Sequence, residues 1–469
     1  MKYSFPDGFR LGATGAGWQM EGETDKRPDQ KHFPHLMWEN DRDAWFEGVG
    51  PQVASDFYNR FRTDIPLFRQ AGIRQYRFNI DWSRFLDDYE SATVNERAAR
   101  YYSDVIDCLL ENGIEPVLCL EHWELPASLY EAYDGYASRH VWDLYEAYAR
   151  QAFRRYGDRV HTWFPFNEPM VIPELCFLNG SWWPHEHNPK RAYAWLHGKV
   201  ACTARAARAC REMLPDARFG AILNPPYIVP RDASNPDDVA AARVADDFFW
   251  RPFVDTAVLG HYPENFLRIL SDEGLLFDLQ PEDERLIRDN TVDVLGINYY
   301  QPMRVKAKET PWDSSRPFHP SKFYDDYDMP GKRMNPYRGW EIFPKSLYDI
   351  GMRIKNEYGN LPWIVSESGM GVQNEARFKG ADGVVQDDYR IDFIAEHLAW
   401  LSKAVAEGSN CGAYWLFASL DNCSPYNAFK NRYGLVEVDR TQNLARRLKK
   451  SAAWYRAASE SNCFDFKEI

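Results

Sequence analysis

Short apolar runs alternate with longer amphipathic stretches along the chain, eight times over. The runs lie at residues 9–14, 75–80, 116–121, 162–167, 218–223, 293–299, 363–367 and 412–417. Each is almost continuously apolar, as strands buried on both faces of a parallel sheet must be. Between them the apolar positions repeat with helical spacing. Tyr101, Val105 and Leu109 share one helical face and Asn112-Gly113 supplies a stop, while 142–156 follows the same plan. Such alternation predicts βα units around a parallel sheet. Eight units in 469 residues favour an α/β fold of one (β/α)8 barrel over a doubly wound sheet, a single domain spanning 1–469 with long loop insertions at its carboxyl-end face. No linker, low-complexity tract or short repeat interrupts the pattern.

A barrel of this kind carries its chemistry at the carboxyl ends of its strands. Those ends hold Gln19 shortly after the first run, Arg77 within the second, His122-Trp123 after the third and Asn167-Glu168 after the fourth. Asn298 and Tyr300 stand at the sixth, and Glu367 closes the seventh. A Glu at one strand end says little in a chain with 69 acids. Two of them, on strands four and seven, can face each other across the mouth, which is what cleavage of a glycosidic bond requires.

Composition narrows the partners. The formal net charge of −13 argues against a nucleic-acid surface. Seventeen Trp and an aromatic share of 15% exceed what a core needs and suit a small ligand that stacks on flat rings. The first residues lack the plan of a secretory signal, and the longest uncharged run near the carboxyl end, 408–420, is too short and broken to span a bilayer. The expectation is therefore a cytoplasmic protein without a membrane anchor. Eight Cys without any Cys-x-x-Cys, several inside apolar runs, read as reduced core residues.

Nine ordered blocks resemble glycoside hydrolase family 1, the retaining β-glucosidases and their phospho-β-glycosidase relatives. They are Phe9-Arg10-Leu11-Gly12-Ala13-Thr14, Gln19 with Glu21-Gly22, Tyr76-Arg77-Phe78 with Asp81-Trp82-Ser83-Arg84, and His122-Trp123-Glu124-Leu125-Pro126. Asn167-Glu168-Pro169, Gly296-Ile297-Asn298-Tyr299-Tyr300, Gly339-Trp340-Glu341-Ile342, Ser366-Glu367-Ser368-Gly369 and Arg432-Tyr433-Gly434-Leu435 complete the set. The resemblance implies a β-glycoside substrate and no metal or cofactor. It implies Glu168 as acid/base and Glu367 as nucleophile, with Arg77 and Tyr300 supporting the latter's charge. Gln19, His122, Trp123, Asn167 and Asn298 then surround the sugar, and Trp340 forms a platform on the leaving-group side.

The eighth strand departs from the common pattern. Where most relatives of this kind carry an acid and a Trp, alignment back from Arg432-Tyr433-Gly434 puts Ser424 and Pro425. A carboxylate there would repel an anion, and phospho-β-glycosidases use Ser, Lys and Tyr in this region for a sugar 6-phosphate. Ser424, Lys430 and Tyr433 are the corresponding residues, although Lys430 lies one position earlier than the usual Lys. The expectation is a 6-phospho-β-glucosidase, with an unphosphorylated β-glucosidase and a weakly active sugar-binding barrel as alternatives. Three other patterns carry less. The Gly-rich 12–17 lacks the ending of a phosphate loop, His185-Glu186-His187 has no metal-ligand spacing, and Asp325, Asp326 and Asp328 read as a surface loop.

Overall fold

A computed structural model describes residues 1–469, and in it the eight apolar runs close into one barrel. Its strands are β1 Arg10–Thr14, β2 Gln75–Asn79, β3 Glu115–Glu121, β4 Thr162–Phe166, β5 Arg218–Leu223, β6 Val294–Asn298, β7 Trp363–Ser368 and β8 Cys411–Phe417. They neighbour one another in chain order, all parallel, with β8 returning to β1. Helices cross between successive strands on the outside. Glu96–Glu111 buries Tyr101, Val105 and Leu109 and begins where the Asn95 side chain accepts from the amides of Arg97 and Ala98. It ends at Asn112, just before Gly113 turns back at φ +66°. Arg139–Tyr156 starts three residues ahead of its predicted position. No helix is long and apolar enough to cross a membrane, and all eight Cys are free, seven of them buried.

Inside the barrel Val117, Cys119, Phe164, Ile222, Val294, Ile364, Ala413 and Trp415 form a separate apolar cluster. Phe164 meets Trp415 edge-on at 6.2 Å, and the Trp415 indole donates to Gln75 Oε1 at 3.0 Å. Two such rings fit only because glycines face them. A Cβ on Gly12 would lie 2.5 Å from the Trp415 ring and 2.6 Å from the Gln75 carbonyl, and one on Gly220 would lie 2.3 Å from Phe164. Gly12→Ala should therefore destabilise the fold by about 1–3 kcal/mol, since neither the indole nor the backbone has room to yield. A lowered thermal midpoint would register this, and an unchanged one would mean that β1 and β2 part without cost.

The carboxyl-end loops build the rest. Tyr227–Pro230, Pro302–Ala307 and Tyr324–Asp326 make a three-stranded sheet beside the mouth. This corrects the reading of 325–328 as a plain surface loop. Asp325 accepts from Lys308 Nζ at 2.7 Å and from the Glu309 and Thr310 amides at 2.9 Å, ties that a local pattern does not reveal. The loop after β8 is fixed by a buried ionic chain. Asp421 meets Lys449 at 2.8 Å, Lys449 and Arg390 share Glu375, and Arg390 meets Asp387 at 2.9 Å. Arg390 also donates to the Met370 and Tyr433 carbonyls at 2.6 and 3.1 Å. Every member having a partner offsets the cost of burying these charges, and removing one would cost about 3–5 kcal/mol.

Candidate active site

A cleft of roughly 910 Å³ opens at the carboxyl ends of the strands. Its lining includes Gln19, His122, Trp123, Glu168, Asn298, Tyr300, Trp340, Glu367, Ser424 and Tyr433. Asn167 and Arg77 lie fully buried and bond to groups in its wall. Where two strands give way to loops, the backbone takes a left-handed turn. Trp123 has φ +76° and Glu168 φ +50°. Each such residue costs on the order of 1–3 kcal/mol and persists only where its surroundings hold it. For Trp123 the hold is visible, because its indole donates to the Asn167 carbonyl at 3.2 Å.

The two acids share one neighbourhood. Asn298 stands in register with Glu367 on the adjoining strand, and its amide donates to Glu168 Oε1 at 2.8 Å and to Asn167 Oδ1 at 3.1 Å. Ser366 Oγ donates to Asn298 Oδ1 at 2.7 Å and so fixes which way that amide faces. Glu367 receives the Arg77 guanidinium on one oxygen and the Tyr300 hydroxyl, at 2.8 Å, on the other. Glu168 has the opposite surroundings. Burial and the charge of Glu367 push its carboxyl up to about 8, against the opposing pull of the Asn298 amide and Arg77. An acid whose hold on its proton is raised thus stands beside a carboxyl gripped by a guanidinium and a phenol, an arrangement suited to acid-assisted displacement.

Around them stand groups suited to a polyol. Arg77 Nη1 lies 3.1 Å from His122 Nδ1, and Asn167 Nδ2 lies 3.2 Å from its Nε2, so both ring nitrogens face donors. Burial and the Arg77 charge hold the imidazole well below its usual range, hence neutral. The Gln19 carbonyl accepts from Asn422 at 2.9 Å, which leaves its amide hydrogens for a ligand. Glu124 accepts from the His122 and Trp18 amides and from Asn79, tying the loop after β3 to that after β1. Trp340 lies 5.1 Å from Tyr300, and Trp123 meets Trp182 edge-on at 5.8 Å, so aromatic surface flanks the cleft.

Lys430 is the exception and corrects the expected Ser-Lys-Tyr set. It does not line the cleft, and its ammonium lies 5.8 Å from the centre of the Phe46 ring. The cause is strand parity. Asn431–Arg432 pairs with Val372–Gln373, and along 429–433 the odd residues are buried while Lys430 and Arg432 turn out. Asn431, two before Tyr433, holds the inward position with a neutral side chain. Three residues near the acids escaped the sequence reading. Ser366 orients Asn298. Glu174, in the short helix Pro173–Leu178 that follows Glu168, lines the cleft, and burial pushes its carboxyl up to about 7. Arg338 lines the cleft and donates from Nε to the Tyr433 hydroxyl at 3.2 Å. Ser366 opens one named motif and Glu174 follows another by five residues, so both were available signals, whereas Arg338 is 95 residues from its partner.

The sequence profile of glycosyl hydrolase family 1 matches residues 1–464. Over 463 residues the chain is 42% identical to the 6-phospho-beta-glucosidase GmuD of Bacillus subtilis, covering 99% of both chains. It is 30% identical to beta-glucosidase A of Thermotoga maritima, covering 98% of both. The solved family 1 β-glucosidase from Thermotoga maritima superposes with a TM-score of 0.88 at 29% identity, over 98% of this chain and 99% of that one. The same enzyme in complex with deoxynojirimycin gives 0.87 at 29% identity over the same shares.

Proposed function

From glycosyl hydrolase family 1, to which this chain belongs, we propose a retaining, exo-acting β-glycosidase that prefers 6-phospho-β-glucosides. One observation carries the mechanism: Asn298, in register with the Arg77-paired Glu367, donates to Glu168, so the two acids share one neighbourhood at the mouth. In the first step a Glu367 oxygen attacks the anomeric carbon, the bond to the aglycone oxygen breaks, and the Glu168 proton passes to that oxygen. Glu367 becomes an uncharged ester. The Glu367 charge, which together with burial had raised Glu168, is then gone, and the Glu168 carboxylate takes a proton from water as the hydroxyl attacks the anomeric carbon and the ester bond to Glu367 breaks. The sugar leaves with its original configuration, Glu367 regains its charge and Glu168 its proton.

The phosphate preference rests on what stands at the far end of the sugar. Ser424 takes the place of a carboxylate, Tyr433 offers a hydroxyl, and the 42% identical relative is named for a phosphorylated substrate. A sugar phosphate crosses a bilayer poorly, which goes with a cytosolic place of action. The test compares kcat/KM for 4-nitrophenyl β-glucoside and its 6-phosphate. We expect the phosphorylated substrate to be favoured by about 10² or more, the worth of one or two charge-assisted hydrogen bonds. Equal or better turnover of the neutral glucoside would overturn the preference and leave an ordinary β-glucosidase.

A further inference from the structure

Resting on that phosphate reading, we propose that Arg338 is the cation that grips the 6-phosphate and so sets the preference for a charged over a neutral sugar. Three cationic side chains of Lys or Arg type line the cleft, Arg304, Lys332 and Arg338. Arg304 is paired with Glu341 at 2.7 Å, and Lys332 with Asp328 at 2.7 Å. Arg338 has no carboxylate within 4.0 Å. It is also the one in contact with the residues expected around the phosphate, through Nε to the Tyr433 hydroxyl at 3.2 Å.

That contact leaves both terminal nitrogens of the guanidinium without a protein acceptor. A planar fork with two free N–H edges is the shape that matches a phosphate bidentately. Its carbon lies 4.4 Å from the centre of the Trp340 ring, and this stacking limits the orientations the fork can take. The Tyr433 ring meets Phe417 edge-on at 5.2 Å, and Phe417 in turn meets Tyr300 at 6.2 Å. One aromatic chain therefore runs from the hydroxyl on Glu367 to the hydroxyl on Arg338. Charge points the same way. With Ser at 424 and Asn at 431, the eighth-strand loop brings neither a repelling acid nor the usual Lys, and the cation arrives instead from the loop between β6 and β7.

The experiment measures kcat/KM for 4-nitrophenyl β-glucoside 6-phosphate and for the neutral glucoside in wild type, Arg338→Ala, Arg338→Lys and Lys430→Ala. The readout is the ratio of the two values, which cancels any general loss of fold or chemistry. We expect the ratio to fall roughly 30- to 100-fold in Arg338→Ala, from the loss of charge-assisted hydrogen bonds. Arg338→Lys should fall less, keeping the charge without the fork, and Lys430→Ala should stay within about twofold of wild type. A wild type with no preference would sink the phosphate reading itself. A wild-type preference that survives Arg338→Ala, or that is lost in Lys430→Ala instead, would overturn the Arg338 assignment alone.

Discussion

Glu367→Ala is expected to lower kcat/KM by on the order of 10⁶, the scale of loss when the nucleophile of a covalent mechanism is deleted. The geometry argues for a loss of that size because nothing else near the anomeric position offers an anion so held. Glu367 is 3% exposed, with the Arg77 guanidinium on one oxygen and the Tyr300 hydroxyl on the other. Removing the carboxylate leaves Arg77 buried without its counter-charge, which costs about 3–5 kcal/mol of stability. Circular dichroism and Glu367→Gln, which keeps an acceptor for Arg77, separate lost chemistry from lost folding. A slow 2-fluoro-glucoside offered to the wild type should add its sugar to the peptide containing Glu367. A label on another residue would overturn the assignment.

The second large effect is selective. Glu168→Ala should cost about 10²–10⁴ on alkyl glycosides, whose leaving oxygen needs a proton, and far less in the first step with nitrophenyl leaving groups. Glycosyl-enzyme should then accumulate, visible as a burst of nitrophenol, because no base activates water. Wild-type kcat/KM on alkyl substrates should fall as pH rises through about 8, where the buried carboxyl beside Glu367 gives up its proton. The sign follows from the role: an acid works only while protonated, so raising its affinity for the proton extends activity upward in pH. In Glu168→Ala that alkaline limb should disappear for nitrophenyl substrates. A limb that persists unchanged would assign it to another group.

Much of this architecture is legible in the sequence. Strands sealed between a packed interior and a shell of helices must be apolar throughout, so β1 to β8 announce themselves within one or two residues of their observed ends. The acids were legible because each closes such a strand. The sheet of Tyr227–Pro230, Pro302–Ala307 and Tyr324–Asp326 was not, since its strands are largely half-buried and are paired across long separations. Lys430 misled because a two-residue strand carries too little periodicity to declare its faces, though burial at 429, 431 and 433 obeys the rule of two. Arg338 looked like any surface Arg before Gly339-Trp340, and only the approach of Tyr433 from β8's loop gives it a task.

The rings of Phe164 and Trp415 packed within the barrel make the cleft a cul-de-sac. In the proposed double displacement the aglycone would leave through the mouth first, water would follow along the path it vacated, and the freed sugar would wait until that path is clear. A bulky aglycone lingering at the threshold would then stall turnover by queueing rather than by any change in bond chemistry.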